Sequence, residues 1–241
     1  MKTYARRSAV FFPDTKRYVP YPLQNHLSHL PPETILKALQ EIFEERERPR
    51  SISTLYDWLE SCFGKTLCHL FFHPFHRQYT ANLWKEIAPQ DAYKSPVEMS
   101  SLLQGAFSSS PPVGYNSRYL YPCNGLDELC RTMASRANVH YHKRLTNIDL
   151  KNKEALFEDG TSVHYDVILS TIPLNRVIQM ADIFLEERED PSNAVLVVNI
   201  GAKKGPLCPD YQWLYIPKSE NGFHRVGFYS QIGRASCRER V

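Results

Sequence analysis

The sequence predicts an α/β protein in which a helical block is inserted between two regions of sheet. Three observations carry that expectation. Apolar residues recur at helical spacing through the stretch 31–112, whereas on either side the apolar runs are short and bounded by turn residues. The run Val167 to Ser170 is continuously apolar up to its last residue, the kind of strand that parallel sheets bury on both faces.

The chain opens with two apolar-rich runs, Ser8 to Phe12 and Lys16 to Val19, separated by Pro13-Asp14; they read as a hairpin. Pro20 and Pro22 then favour extended backbone through VPYPLQN. From Pro31 the period changes. Ile35, Leu36, Leu39, Ile42 and Phe43 share one face of a helix entered by Pro31-Pro32 and closed by the charged run EERERPR. A second helix begins near Ser53, buries Leu55, Trp58, Leu59, Cys62 and Phe63, and places Gly64 where a C-cap belongs. A third covers Lys65 to Phe72, and Pro74 is expected to break or kink it. The stretch Ser95 to Pro112 reads as a weak helix and a loop, and Leu126 to Ser135 as a helix with Leu126, Leu129, Cys130 and Met133 inward. Strands follow in VHYHKRLTNIDL, EALFEDG and SVHYDVILSTIP, the last two joined at Asp159-Gly160. Three more are expected at Ala194 to Ile200, Gln212 to Ile216 and His224 to Ser230.

Composition bounds the function. The chain has 241 residues, 42% hydrophobic and 23% charged, which excludes a disordered tail and a coiled coil. A net charge of +3 is too small to argue for nucleic acid, so no nucleic-acid partner is expected. No stretch approaches the roughly 18 consecutive apolar residues of a membrane span, and AVFF is too short for a signal-peptide core; the expected location is cytoplasmic. The six cysteines form no CxxC pair and read as free thiols. The ending from Gly233 to Val241 resembles translated sequencing-adapter DNA and is expected to be foreign to the fold.

Local chemistry offers two clusters. His69, His73 and His76 have helical spacing for metal ligands, but Pro74 interrupts the helix and no acidic residue or cysteine completes a set; no metal is expected, and the plain reading is a polar helix edge. His140 and His142 alternate onto one strand face and read as exposed. Arg77, Gln78, Tyr79 and Trp84, with Lys85, mix cations and rings. That mixture suits an anionic ligand bearing a ring, and equally a helix corner whose long side chains run along apolar surface. There is no GxSxG, HExxH or P-loop, the first glycine is Gly64, and no GxGxxG turn occurs.

Taken in order, VPYPLQNHLSHLPPE, LYDWLESCFGKTLCHLFFHPF, GYNSRYLYPCNGLDELCRTMA and DGTSVHYDVILSTIPL resemble a family of FAD-dependent oxidoreductases similar to UDP-galactopyranose mutase and to flavin amine and protoporphyrinogen oxidases. The resemblance runs from Arg7 to Tyr229. It implies an incomplete FAD/NAD(P)-binding Rossmann-like domain with an inserted helical domain and an antiparallel sheet domain. Residues 1–30 and 191–232 would form the substrate-side sheet, 31–112 the helical insertion, 113–190 the partial FAD-binding domain and 233–241 the foreign tail. The family's GxGxxG unit would precede Met1, so the chain is expected to be an internal fragment that binds FAD weakly and is inactive alone.

Site residues follow from the same resemblance. Arg144 and Leu145, in KRLTNID, would contact the adenosine end of FAD. Ser170, Thr171 and Pro173 would pass close to the cofactor, and Tyr121, Pro122 and Gly125 would form the turn near the flavin, with Asn124 in place of a glycine. Arg77, Gln78, Tyr79 and Trp84 would face the substrate, with Gln78 where the family carries lysine and Thr80 where it carries tryptophan. The implied activity is hydride transfer to the flavin, or attack of the reduced flavin on a sugar carbon, with a small or sugar-nucleotide substrate. The alternative is a cofactor-free binding or scaffold domain that kept the fold, motivated by the substitutions at Gln78, Thr80 and Asn124.

Overall fold

The computed structural model describes residues 1–48, 51–89, 98–109, 117–186 and 192–231. The chain divides into two compact units, residues 1–129 with 199–241, and residues 130–198.

In the first unit, β1 (Lys2–Ala5) precedes the expected hairpin of β2 (Ser8–Phe12) and β3 (Arg17–Pro20), paired antiparallel with Val10 opposite Val19. Backbone after Pro22 is not extended, as the prolines suggested. Two 3-10 turns, Leu23–Asn25 and Leu27–His29, fold it instead, because burying Leu23 and Leu27 completely outweighs the local preference. Helix α1 (Pro32–Glu47) starts at Pro32, where proline lacks only an N–H that no helix uses. Its face Ala38, Leu39 and Ile42 is buried, while Leu36 and Phe43 are exposed. Helix α2 (Leu55–Leu67) begins at a capping box in which Thr54 Oγ1 accepts from the Asp57 N–H and Asp57 accepts from the Thr54 N–H, both at 3.1 Å. Gly64 interrupts it with φ 69° and ψ 170°, backbone open essentially to glycine alone. The chain then resumes as a π-helical turn, Cys68–Phe72, and α3 (His73–Tyr79). Pro74 therefore opens a helix where a break was expected, for in the first turn its missing N–H costs nothing. Helix α4 (Met99–Phe107) buries Leu102 and Ala106; the remaining parts of the 95–112 stretch lie largely outside the described residues.

Strand β4 (Arg118–Tyr121) pairs antiparallel with β1, and α5 (Leu126–Ala134) follows across the division between the units. Leu126, Leu129 and Met133 are exposed, where the helical period placed them inward. The period marks an apolar face; it does not supply a surface to cover it. Strands β8 (Trp213–Tyr215) and β9 (Arg225–Gly227), described with this unit, complete a four-stranded sheet of order β3-β2-β8-β9 in which β2 and β8 run parallel. Against this frame lies a core that includes Val10, Leu27, Ile42, Leu59, Phe63 and Phe72.

In the second unit, β5 (Leu145–Asp149), β6 (Glu154–Phe157) and β7 (Ser162–His164) form an antiparallel meander, with Gly160 at φ 80° in the turn before β7. Helix α6 (Leu174–Met180) lies against β5. Two expectations fail here. Residues 139–144 and 165–173 form no strand, and Val167 and Leu169 are 78% and 94% exposed rather than buried on both faces. The expected strand 194–200 is likewise unpaired, with Leu196 89% exposed. Such a run forms a strand only beside a pairing neighbour and is buried only when both faces are covered, and the described residues offer these runs no strand partner.

Candidate functional site

A nest of buried polar residues lies in the first unit: Arg6 and Ser8 around the start of β2, and Asn25 and His26 at the first 3-10 turn. Arg6, Ser8, Asn25 and His26 are all at least 95% buried. Arg6 Nη2 donates to the Tyr21 carbonyl at 3.2 Å, and the Tyr21 N–H donates to the Ser8 carbonyl at 3.0 Å, so Tyr21 ties the two together. Among the described residues, four buried atoms have no hydrogen-bond partner: Ser8 Oγ, Asn25 Oδ1 and both ring nitrogens of His26. Each such atom costs about 1–3 kcal/mol. Neighbouring Gln212 shows the contrast: equally buried, it accepts from the Arg7 N–H at 3.0 Å and donates to the Ala5 carbonyl at 3.1 Å. Burial, then His29 and Arg6, push the His26 imidazole down to about 4, so it is neutral at pH 7. A neutral imidazole, a hydroxyl and an amide oxygen together offer both donors and acceptors.

A row of rings leads away from the nest. The Arg6 guanidinium sits 5.5 Å from the Tyr21 ring centroid, Tyr21 lies 4.5 Å from Tyr215, and Phe75 meets Tyr215 edge-on at 5.5 Å. Phe75 stacks on Tyr79 at 5.5 Å and 11°, and His224 stands edge-on to both. Beside this row, a groove of about 340 Å³ is lined by Pro74, Arg77 and Gln78 of α3 and by the segment Pro217 to Glu220. Gln78 Nε2 donates to the Ser219 carbonyl at 3.4 Å, and Gln78 Oε1 and Ser219 Oγ are buried without partners among the described residues. The groove carries the cations Arg77 and Lys218 and the carboxylate of Glu220.

Arg77, Gln78 and Tyr79 thus come together on α3, beside or within the groove. Trp84 does not join them; it is 4% exposed and packs against both Tyr56 and His73, at 4.8 and 4.7 Å. Thr80 has a structural task, donating to the His76 carbonyl at 2.7 Å and accepting from the Trp84 N–H at 3.0 Å. His73 faces Glu60, and His76 Nδ1 lies 2.7 Å from the Phe72 carbonyl; no metal-ligating group of three occurs among the described residues. Tyr121 ends β4, and buried Pro122 and Gly125 form a turn closed by the Gly125 N–H on the Pro122 carbonyl at 3.2 Å, with Gly125 at φ 101°.

In the second unit, the Arg144 carbonyl accepts from the Glu158 N–H at 2.9 Å and its guanidinium reaches Glu158 at 3.4 Å, while Leu145 pairs with Phe157. Ser170, Thr171 and Pro173 lie on exposed backbone leading into α6, and Ser170 Oγ accepts from the Ile172 N–H at 3.2 Å. The orphaned atoms fit a polar group in the first unit; in the second, exposed backbone at Ser170 and Thr171 is accessible to one, whereas the Arg144 carbonyl is already engaged.

Arg6, Ser8, Tyr21, Asn25 and His26 are site residues that the sequence reading misses. The signal for the last two is three consecutive polar side chains, Gln24 to His26, between apolar positions that bury completely.

The helices beside a mixed sheet, with a separate antiparallel meander, are the arrangement of the FAD-dependent mutase and amine oxidase fold. A crystal structure of reduced UDP-galactopyranose mutase superposes with TM-score 0.76 at 17% identity, covering 97% of this chain and 55% of that one. The chain thus spans about 55% of the length of that structure. Residues 2–187 match the family model of flavin containing amine oxidoreductases, and the chain belongs to that family.

Proposed function

We propose that the chain is part of an FAD-dependent oxidoreductase or mutase-like enzyme of the cytoplasm that acts on a small or sugar-linked substrate. In this reading the first unit supplies the substrate side and the turn at Tyr121, Pro122 and Gly125. Within the second unit, Arg144, Leu145, Ser170, Thr171 and Pro173 are the residues read as cofactor contacts. The observation that carries the reading is the nest, whose four orphaned atoms on Ser8, Asn25 and His26 call for a group that both donates and accepts. Sugar hydroxyls and the polar edge of a flavin ring both have that character. FAD, when bound, supplies the redox chemistry. The chain's residues do the rest: Arg6, Ser8, Asn25 and His26 orient the polar group, Tyr21 and Tyr215 shield it, and Arg77 with Lys218 attracts an anionic portion.

The test is a histidine-resolved NMR titration with UDP-galactose. A shift of the His26 ring resonances, reduced at least tenfold in affinity by Asn25→Ala, supports the reading. No shift at millimolar ligand, with the nest filled only by ordered water in a crystal, contradicts it.

A further inference from the structure

We propose that Glu60 and His73 form a proton-operated latch between α2 and α3, and that protonating His73 loosens α3. His73 is the first residue of α3 and 9% exposed; Glu60 lies on α2 and is 8% exposed. His73 Nε2 is 3.3 Å from Glu60 Oε1, and the Tyr56 hydroxyl donates to that same oxygen at 2.8 Å. The imidazole is clamped in a stack of rings: Tyr56 lies parallel to it at 4.5 Å and 7°, and Trp84 covers it at 4.7 Å.

With His73 neutral, Nε2 donates to Glu60 and Nδ1 carries only a lone pair. Nδ1 is buried and has no hydrogen-bond partner among the described residues. Protonation places a second N–H there with nothing to receive it, and in a buried site that costs about 1–3 kcal/mol or more. The titratable groups facing the ring are Glu60 and Tyr56 of α2, His69 of the π-helical turn, His76 of α3 and Lys85 of the 3-10 turn Leu83–Lys85. Glu60 favours the imidazolium, but burial opposes it more strongly, and His69 and Lys85 add to the opposition, so the value falls below the ordinary 6.5. Opening restores the ordinary value; proton uptake below about 6.5 therefore drives the latch open. Arg77 and Gln78 ride on the helix that it holds. The latch stands whether or not the groove takes a substrate.

Hydrogen exchange of the amides from Phe75 to Tyr79, corrected for intrinsic chemical rates, tests it between pH 7.5 and 5.5 alongside an NMR titration of the His73 ring. The expected opening constant rises up to about tenfold per pH unit below 6.5, the limit for one proton. His73→Gln, which keeps a donor to Glu60 and cannot protonate, removes that rise and leaves only what His76 contributes. Glu60→Gln keeps an acceptor for Tyr56 and shifts the His73 titration further down. A His73 ring that titrates at 6.5 or above, an unchanged pH response in His73→Gln, or a titration that Glu60→Gln leaves in place overturns the latch. Should His73→Gln fail to fold, the ring titration and Glu60→Gln decide.

Discussion

Gly105 lies against the carbonyl of Asn25 so closely that a Cβ at this position would meet its oxygen at 2.1 Å. Helix α4 can therefore press on the 3-10 turn that carries Asn25 and His26 only because residue 105 has no side chain. The neighbouring atoms are backbone and cannot swing aside. Gly105→Ala must displace either the helix or the turn, and overpacking of this kind costs about 3 kcal/mol or more. Urea unfolding should show that loss in the midpoint, with the slope unchanged.

Acid should unfold the first unit through its buried histidines. His26 and His76 are both held down at about 4 against an ordinary 6.5, in each case chiefly by burial. Between those values the unfolded chain binds more protons than the folded one. Stability is therefore full above pH 6.5 and falls as pH drops toward 4, by up to about 1.4 kcal/mol per pH unit for each histidine. Urea midpoints at pH 7.5, 6 and 5 measure the slope, and His26→Gln should reduce it by one proton's worth.

The capping box of α2 gives a smaller and cleaner effect. Thr54→Ala removes the acceptor for the Asp57 N–H and should cost about 1 kcal/mol. Thr54→Ser keeps the hydroxyl and should stay near wild type in the same unfolding assay.

Arg77 is exposed and lines the groove, so its removal should separate binding from stability. Arg77→Ala is expected to weaken binding of UDP by about tenfold or more, since a hydrogen bond to a charged group contributes about 1.5–3 kcal/mol. Thermal stability should stay within about 0.5 kcal/mol of wild type. Calorimetric titration together with a melting curve checks both halves.

Much of the helical part was legible because its signals are local. The Pro31-Pro32 entry, the helix start near Ser53 and the glycine at Gly64 each act within a few residues, and the Ser8–Phe12 hairpin with Arg17–Pro20 is fixed by a short turn; the Thr54 and Asp57 cap emerged only in the structure. The strands expected at Val167 to Ser170 and Ala194 to Ile200 were not found, because an apolar run announces that it can be buried but not what will bury it. The candidate site divides the same way. Arg77, Gln78 and Tyr79 were visible as adjacent residues of telling chemistry. The segment Pro217 to Glu220 across the groove is about 140 positions away, and the nest joins Arg6 to His26 through a turn that two prolines seemed to forbid. Trp84 shows the converse: near in sequence to the groove residues, it is buried in a different stack.

The most direct measurement is the visible spectrum of the protein expressed from the complete source gene, recorded after gel filtration. Flavin bands should stay with the protein, and His26→Gln should perturb their position or the affinity for added substrate. A folded, colourless protein that takes up no added FAD would contradict the flavoenzyme reading and leave a binding domain that kept the fold without the cofactor.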